Sequence, residues 1–209
     1  MTDPTPREPE QSMNWVELAA AILLGVAAVL TAYAAYYGAL AGGDALKGYT
    51  KSNKINSDAN GFYTDYSQTY ASDQALFLQY QLLVEKGDQE TADVIKNIFS
   101  SELGTATEAW LLNPGDAVTP QDTEAYVVES FINYEEQTAL ADAEFDAAEK
   151  IDDQGDNFDL ASVFLAVSLF FAGIAALFKV RKIQIAMLIG STLLMIPGLQ
   201  AIAKGKGWL

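Results

Sequence analysis

The sequence predicts an all-α membrane protein, with three transmembrane helices and an acidic helical-bundle domain inserted between the first and second spans. Three observations predict it. Apolar stretches at 15–41, 160–178 and 183–203 each have the length needed to cross a hydrocarbon layer roughly 30 Å thick. The segment 44–158 carries 23 Asp and Glu against 6 Lys, so it holds more than the whole chain's net charge of −16. Within that segment the apolar residues recur at helical spacing, and no run alternates as a strand would.

Residues 1–14 place Pro4, Pro6 and Pro9 among charges and read as a disordered N-terminal tail. The apolar run that follows exceeds the about 7–15 residues of a signal-peptide core, so it is expected to be a retained anchor. Trp15 marks one membrane interface, and Tyr33, Tyr36 and Tyr37 mark the other. At the helical rise, Trp15 and Tyr36 stand about 31 Å apart, which matches the aromatic belts of a bilayer. Inside this span Ala21, Gly25, Ala28, Ala32, Ala35 and Ala39 repeat at alternating spacings of four and three. Lipid is as apolar as Leu, so spans associate by close van der Waals contact, and such a seam of small residues predicts packing against another helix.

Residues 44–57 form a polar connector that is able to continue the first helix past Gly42–Gly43. Ala59, Phe62, Tyr66, Tyr70, Phe77, Gln81 and Val84 then keep helical spacing, with Asp73 interrupting the apolar stripe and Gly87–Asp88 ending it. Ala92, Ile95, Phe99, Leu103, Ala106 and Trp110 predict a second helix, which Asn113–Pro114–Gly115 stops. Thr119 as N-cap, Pro120 at the first helical position and Asp122 at the positive end predict the start of a third. Its stripe runs through Val127, Phe131, Tyr134, Thr138, Ala141, Phe145 and Ala148. Residues 152–157 read as a polar hinge into the second transmembrane segment, 159–179. The third span, 183–203, contains Gln184, Ser191, Thr192, Gln200 and Pro197, and a short tail, 204–209, follows.

The chain has neither Cys nor His, which removes the thiolate nucleophile, the commonest general base and the usual zinc ligands. No enzyme activity, cofactor or metal site is expected. The acidic run from Glu135 to Asp159 lacks the spacing and terminal Glu of an EF-hand loop. The strong negative charge excludes nucleic acid as a partner. Glu17, Ser191 and Thr192 are the candidate pore or ion residues, because a carboxylate near a span and polar side chains inside one are costly unless they serve a purpose. For orientation, Lys179, Arg181 and Lys182 favour a cytoplasmic turn between the last two spans, whereas Lys47, Lys51, Lys54, Lys204 and Lys206 favour the reverse. The balance leans slightly to an extracytoplasmic domain.

Trp15–Val16–Glu17–Leu18–Ala19–Ala20, Tyr33–Ala34–Ala35–Tyr36 and Ser168–Leu169–Phe170–Phe171–Ala172–Gly173–Ile174 resemble segments of an uncharacterised family of prokaryotic three-span membrane proteins with a helical insert. That resemblance implies an architecture and no activity. The order of one span, a helical domain and two spans is also similar to that of the ring subunits of bacterial proton-driven stators, which implies a pentamer around a partner's helix with the domain in the cytoplasm. The sequence thus leads to a homo-oligomeric integral membrane protein that conducts or organises cations, surrounded by membrane lipid. The alternative from a different class is a non-conducting scaffold or accessory subunit that binds another protein through its acidic domain.

Overall fold

The computed structural model describes residues 15–209, and the expected N-terminal tail, 1–14, lies outside the described residues. Among the described residues five α-helices follow in order: α1 (Trp15–Glu85), α2 (Gln89–Lys96), α3 (Ser101–Leu112), α4 (Glu129–Leu177) and α5 (Arg181–Gly205), with a 3-10 turn at Pro120–Asp122 before α4. No strand occurs among the described residues. The chain divides into two compact units. One comprises residues 15–48 with Asp146–Leu209, and the other is Tyr49–Phe145.

Three helices, α1, α4 and α5, are long and apolar enough to cross a membrane. The rest of the chain covers only 17, 28 and 28% of their respective apolar windows. Core helices of a water-soluble protein would be covered far more fully, so these faces are built for lipid. This is a multi-pass membrane architecture.

In the first unit α1 turns Val16, Ala20, Ala27, Ala34, Gly38 and Ala45 inward, mostly seven residues apart. That repeat keeps one narrow seam facing its neighbours, as in a left-handed helix pair. Ala34, Phe158, Ala161, Leu165, Met195, Ala201 and Ile202 form the core, with Leu23, Leu30 and Tyr37 packed against it. Small residues set the helix spacing. A Cβ on Gly198 would lie 2.9 Å from Leu165 Cγ, and one on Gly48 would lie 2.7 Å from Ala148 Cβ.

One expected break is absent, and the continuation past Gly42–Gly43 that the sequence allows is present. The helix runs unbroken through Gly42–Gly43 and through residues 152–157, where a hinge is expected from the sequence. The reason is shared. Gly155 is buried against α1, its Cβ position 3.4 Å from Ala41 Cβ and 3.7 Å from the Gly42 backbone nitrogen. Ile151, Gly155 and Phe158 point inward while Asp152, Asp153 and Asp156 are exposed. The polar run is therefore the solvated face of a helix, and its glycine is a point of close helix approach, which offsets a helix-propensity cost of about 1 kcal/mol.

In the second unit the expected helix over 92–110 is two helices, because Ser100 caps α3 by accepting the Leu103 N–H at 3.0 Å. The start signal at Thr119–Asp122 is real but local. The Asp122 carboxylate accepts from the Thr119 backbone N–H and hydroxyl at 2.8 and 2.9 Å, and these bonds hold it below the usual carboxylate range. Thr123 is already extended, so the turn closes after three residues and α4 begins at Glu129. Two Schellman ends match their glycines. At Gly87 (φ +77°) the Asp88 N–H reaches Leu83 O, and at Gly207 (φ +69°) the Trp208 N–H reaches Ala203 O.

Candidate functional site

Inside the membrane unit, polar side chains join helices. Ser168 Oγ donates to Ser191 O and Ser191 Oγ donates to Ser168 O, each at 2.9 Å, in a crossed pair that links α4 to α5. Both serines are fully buried, and each hydroxyl satisfies a second acceptor site on a carbonyl in a region without water. Gln184, also buried, donates from Nε2 to Phe178 O at 2.6 Å and so satisfies a carbonyl just past the end of α4. Ser191→Ala is expected to cost only about 0.6 kcal/mol in a membrane, because the unfolded chain also finds partners there. Denaturation of the detergent-solubilised protein would measure it, and Ser191→Leu, forced into the same contact, should cost clearly more.

Cation–π contacts mark the two rims of this unit. At one, the Arg181 guanidinium sits 5.5 Å over the Trp15 ring. At the other, Lys206 Nζ lies 3.4 Å from the centroid of Tyr37 and 5.7 and 5.8 Å from those of Tyr33 and Phe158. The C-terminal Schellman turn presents Lys206 to this cage, and Gly205 gives Phe158 the room it needs, since a Cβ there would stand 2.9 Å from the ring. A cleft of about 290 Å³ beside the cage is lined by Tyr37, Asp44, Gln154, Phe158 and Lys206 among others. The rings supply the aromatic belts expected at bilayer interfaces.

The residues singled out from sequence lie apart. Ala21, Gly25, Ala28, Ala32, Ala35 and Ala39 are all exposed, and the inward seam of α1 is a different one. Nothing approaches a Cβ built on Gly25 within 4 Å. Glu17 is exposed on the first turn of α1. Ser191 is committed to Ser168, while Thr192 is exposed and returns its hydroxyl to Leu188 O at 2.8 Å.

The second unit centres on a buried carboxylate. Asp73 Oδ2 accepts from Ser100 Oγ at 2.7 Å and from the Tyr126 hydroxyl at 2.9 Å. One oxygen thereby ties α1 to the cap of α3 and to the segment entering α4. Aromatic pairs continue this core: Tyr66 with Phe131 at 4.8 Å, Tyr63 with Tyr134 at 5.1 Å and Phe77 edge-on to Trp110 at 5.6 Å. Trp110 Nε1 donates to Ala117 O at 2.9 Å, which holds the following loop. Ser52 Oγ donates to Ala141 O at 2.7 Å, and Lys51 pairs with Glu144.

Burial, then the hydrogen bond to Asp73 and its charge, push the Tyr126 phenol well above its ordinary 10.0, and burial also raises Tyr66. A raised folded-state pKa contributes stability that is complete below the unfolded value and is lost as pH rises above it. The acidic unit should therefore keep its stability to about pH 10 and lose it at higher pH. Tyr126→Phe should flatten that alkaline loss, and at pH 7 should cost about 1.5–3 kcal/mol through the missing bond to a charged acceptor. Unfolding followed by far-UV circular dichroism from pH 8 to about 12 would check both arms.

From sequence, Asp73 registers only as a break in an apolar stripe. Its signal is positional: it stands seven residues after Tyr66 and four before Phe77, on the buried face. Lys206 reads as tail, and Gly207 is the clue that the helix ends in a fixed turn. Comparison with protein-family models, with curated proteins and with solved structures found no match.

Proposed function

We propose that the protein is a homo-oligomeric, non-conducting membrane scaffold or accessory subunit whose acidic helical domain docks another protein. The observation that carries this reading is the exposed apolar cluster in sequence around the 113–117 loop. Leu112 and Val118 are 88 and 78% exposed, with Leu111 beside them, in a unit that contains none of the apolar spans. Large apolar side chains exposed close together on a polar unit mark protein interaction sites. Residues 49–145 carry 17 Asp and Glu against 4 Lys, which selects a partner with a basic rim. Satisfied polar groups within the spans support a packed bundle in place of a wet one. The uncovered small-residue face of α1 supports self-association through Ala21, Gly25, Ala28, Ala32, Ala35 and Ala39.

Leu112→Glu with Val118→Glu should release a co-purifying protein and leave the circular dichroism spectrum and oligomer mass unchanged. Retention of that protein by the double variant would sink the docking site. The second reading, a cation-conducting or cation-organising assembly, is favoured by the charge of the acidic unit, which would concentrate cations at a nearby opening. It predicts bilayer conductance whose selectivity changes in Glu17→Gln. The scaffold reading predicts no conductance from either protein.

A further inference from the structure

We propose that the lipid-facing groove beside Trp15 is a binding site for one anionic phospholipid, with the phosphate on Arg181 and an acyl chain along α5. The groove measures about 340 Å³ and is lined by Trp15, Ile185, Leu188, Ile189, Thr192 and Leu193. Its one hydroxyl, on Thr192, is spent on Leu188 O, so along α5 the lining is apolar to an acyl chain. Positions 185, 188, 189 and 192 share one face of a helix with 3.6 residues per turn, and Arg181 lies one turn before Ile185 on that same face. Arg181 stacks over Trp15, which forms a wall of the groove, so the cation is held at its mouth.

Charge selects the headgroup. Lys179, Arg181 and Lys182 fall within four residues, and no Asp or Glu occurs anywhere after Asp159. Glu17, exposed on the first turn of α1, is the acid nearest in sequence to Trp15. No carboxylate pairs with Arg181 among the described residues. A guanidinium that no described carboxylate engages has five donors and matches a phosphate bidentately. A basic mouth on an apolar groove, both at the rim of a membrane unit, calls for a ligand with an anion at one end and a hydrocarbon chain at the other.

The test is native mass spectrometry of the full chain in mild detergent, titrated with phosphatidylglycerol and phosphatidylcholine of identical acyl chains. Phosphatidylglycerol should be retained preferentially, by about five-fold for each cation engaged. Arg181→Gln with Lys182→Gln should erase the preference, Arg181→Lys should keep part of it, and Thr192→Trp, which fills the groove, should reduce retention of both lipids. Equal retention of the two lipids by the parent protein would overturn the proposal, as would a preference that survives the double substitution. Retention unaffected by Thr192→Trp would also overturn it, by removing the groove. So would a second copy of the chain that leaves on Thr192→Trp, because the groove would then be a protein interface.

Discussion

Phe77→Ala is expected to destabilise the acidic unit by about 3–5 kcal/mol, the range for an aromatic side chain deleted from a close-packed core. Phe77 is 1% exposed and is the largest fully buried side chain of the described residues. It packs edge-on to Trp110 at 5.6 Å and lies 6.3 Å from Tyr80, so its removal leaves a cavity that neighbours on two helices are too constrained to fill. It is also one turn beyond Asp73, whose carboxylate joins three segments of this unit. A loss of that size is a large part of the stability of a domain of this length. Urea unfolding followed by the near-UV aromatic signal would measure it. A cost below about 1 kcal/mol would mean that the position tolerates solvent and that the core lies elsewhere.

Gly48→Leu should separate α1 from α4 where their backbones approach closely. The Cβ position at Gly48 is 2.7 Å from Ala148 Cβ and 3.4 Å from Ala148 Cα, and neither atom is the movable end of a long side chain. Overpacking of this kind costs about 1–3 kcal/mol even for single methylenes, so a leucine should cost at least the upper part of that range. Gly43 provides the control, because nothing lies within 4 Å of a Cβ built there. Gly43→Ala should stabilise the helix by as much as about 1 kcal/mol through propensity alone. Thermal unfolding of the two variants in the same detergent should move in opposite directions. Two shifts of the same sign would contradict the contact.

The contrast between these glycines also shows which parts of the fold are legible in the sequence. Apolar length and aromatic belts are local properties, so the three spans could be read from their apolar runs and the ring-marked rims from Trp15, Tyr33, Tyr36 and Tyr37. Helix continuity is not local. Gly42, Gly43 and Gly155 have the composition of breaks, and only the backbone of a facing helix turns Gly155 into a contact. The same limit hides the inward face of α1. An alanine-rich helix carries several seams of small residues, and α1 buries Ala20, Ala27 and Ala34 while Ala21, Ala28 and Ala35 remain exposed. A shift of one residue turns the helix by about 100°, and hydropathy does not distinguish two alanines. Asp73 is obscured for a different reason. A carboxylate on an apolar stripe reads as a fault until its donors, Ser100 and Tyr126, arrive from positions 27 and 53 residues away.

The central claim is that the membrane bundle is a platform for a second protein bound to the acidic domain, and native mass spectrometry of the protein released from its own membrane tests it most directly. Several copies of this chain should leave the membrane together with a stoichiometric second protein, whose mass is lost from the Leu112→Glu, Val118→Glu variant. A closed ring of this chain alone, with no second mass in either protein, would contradict it and would move the search for function to conductance.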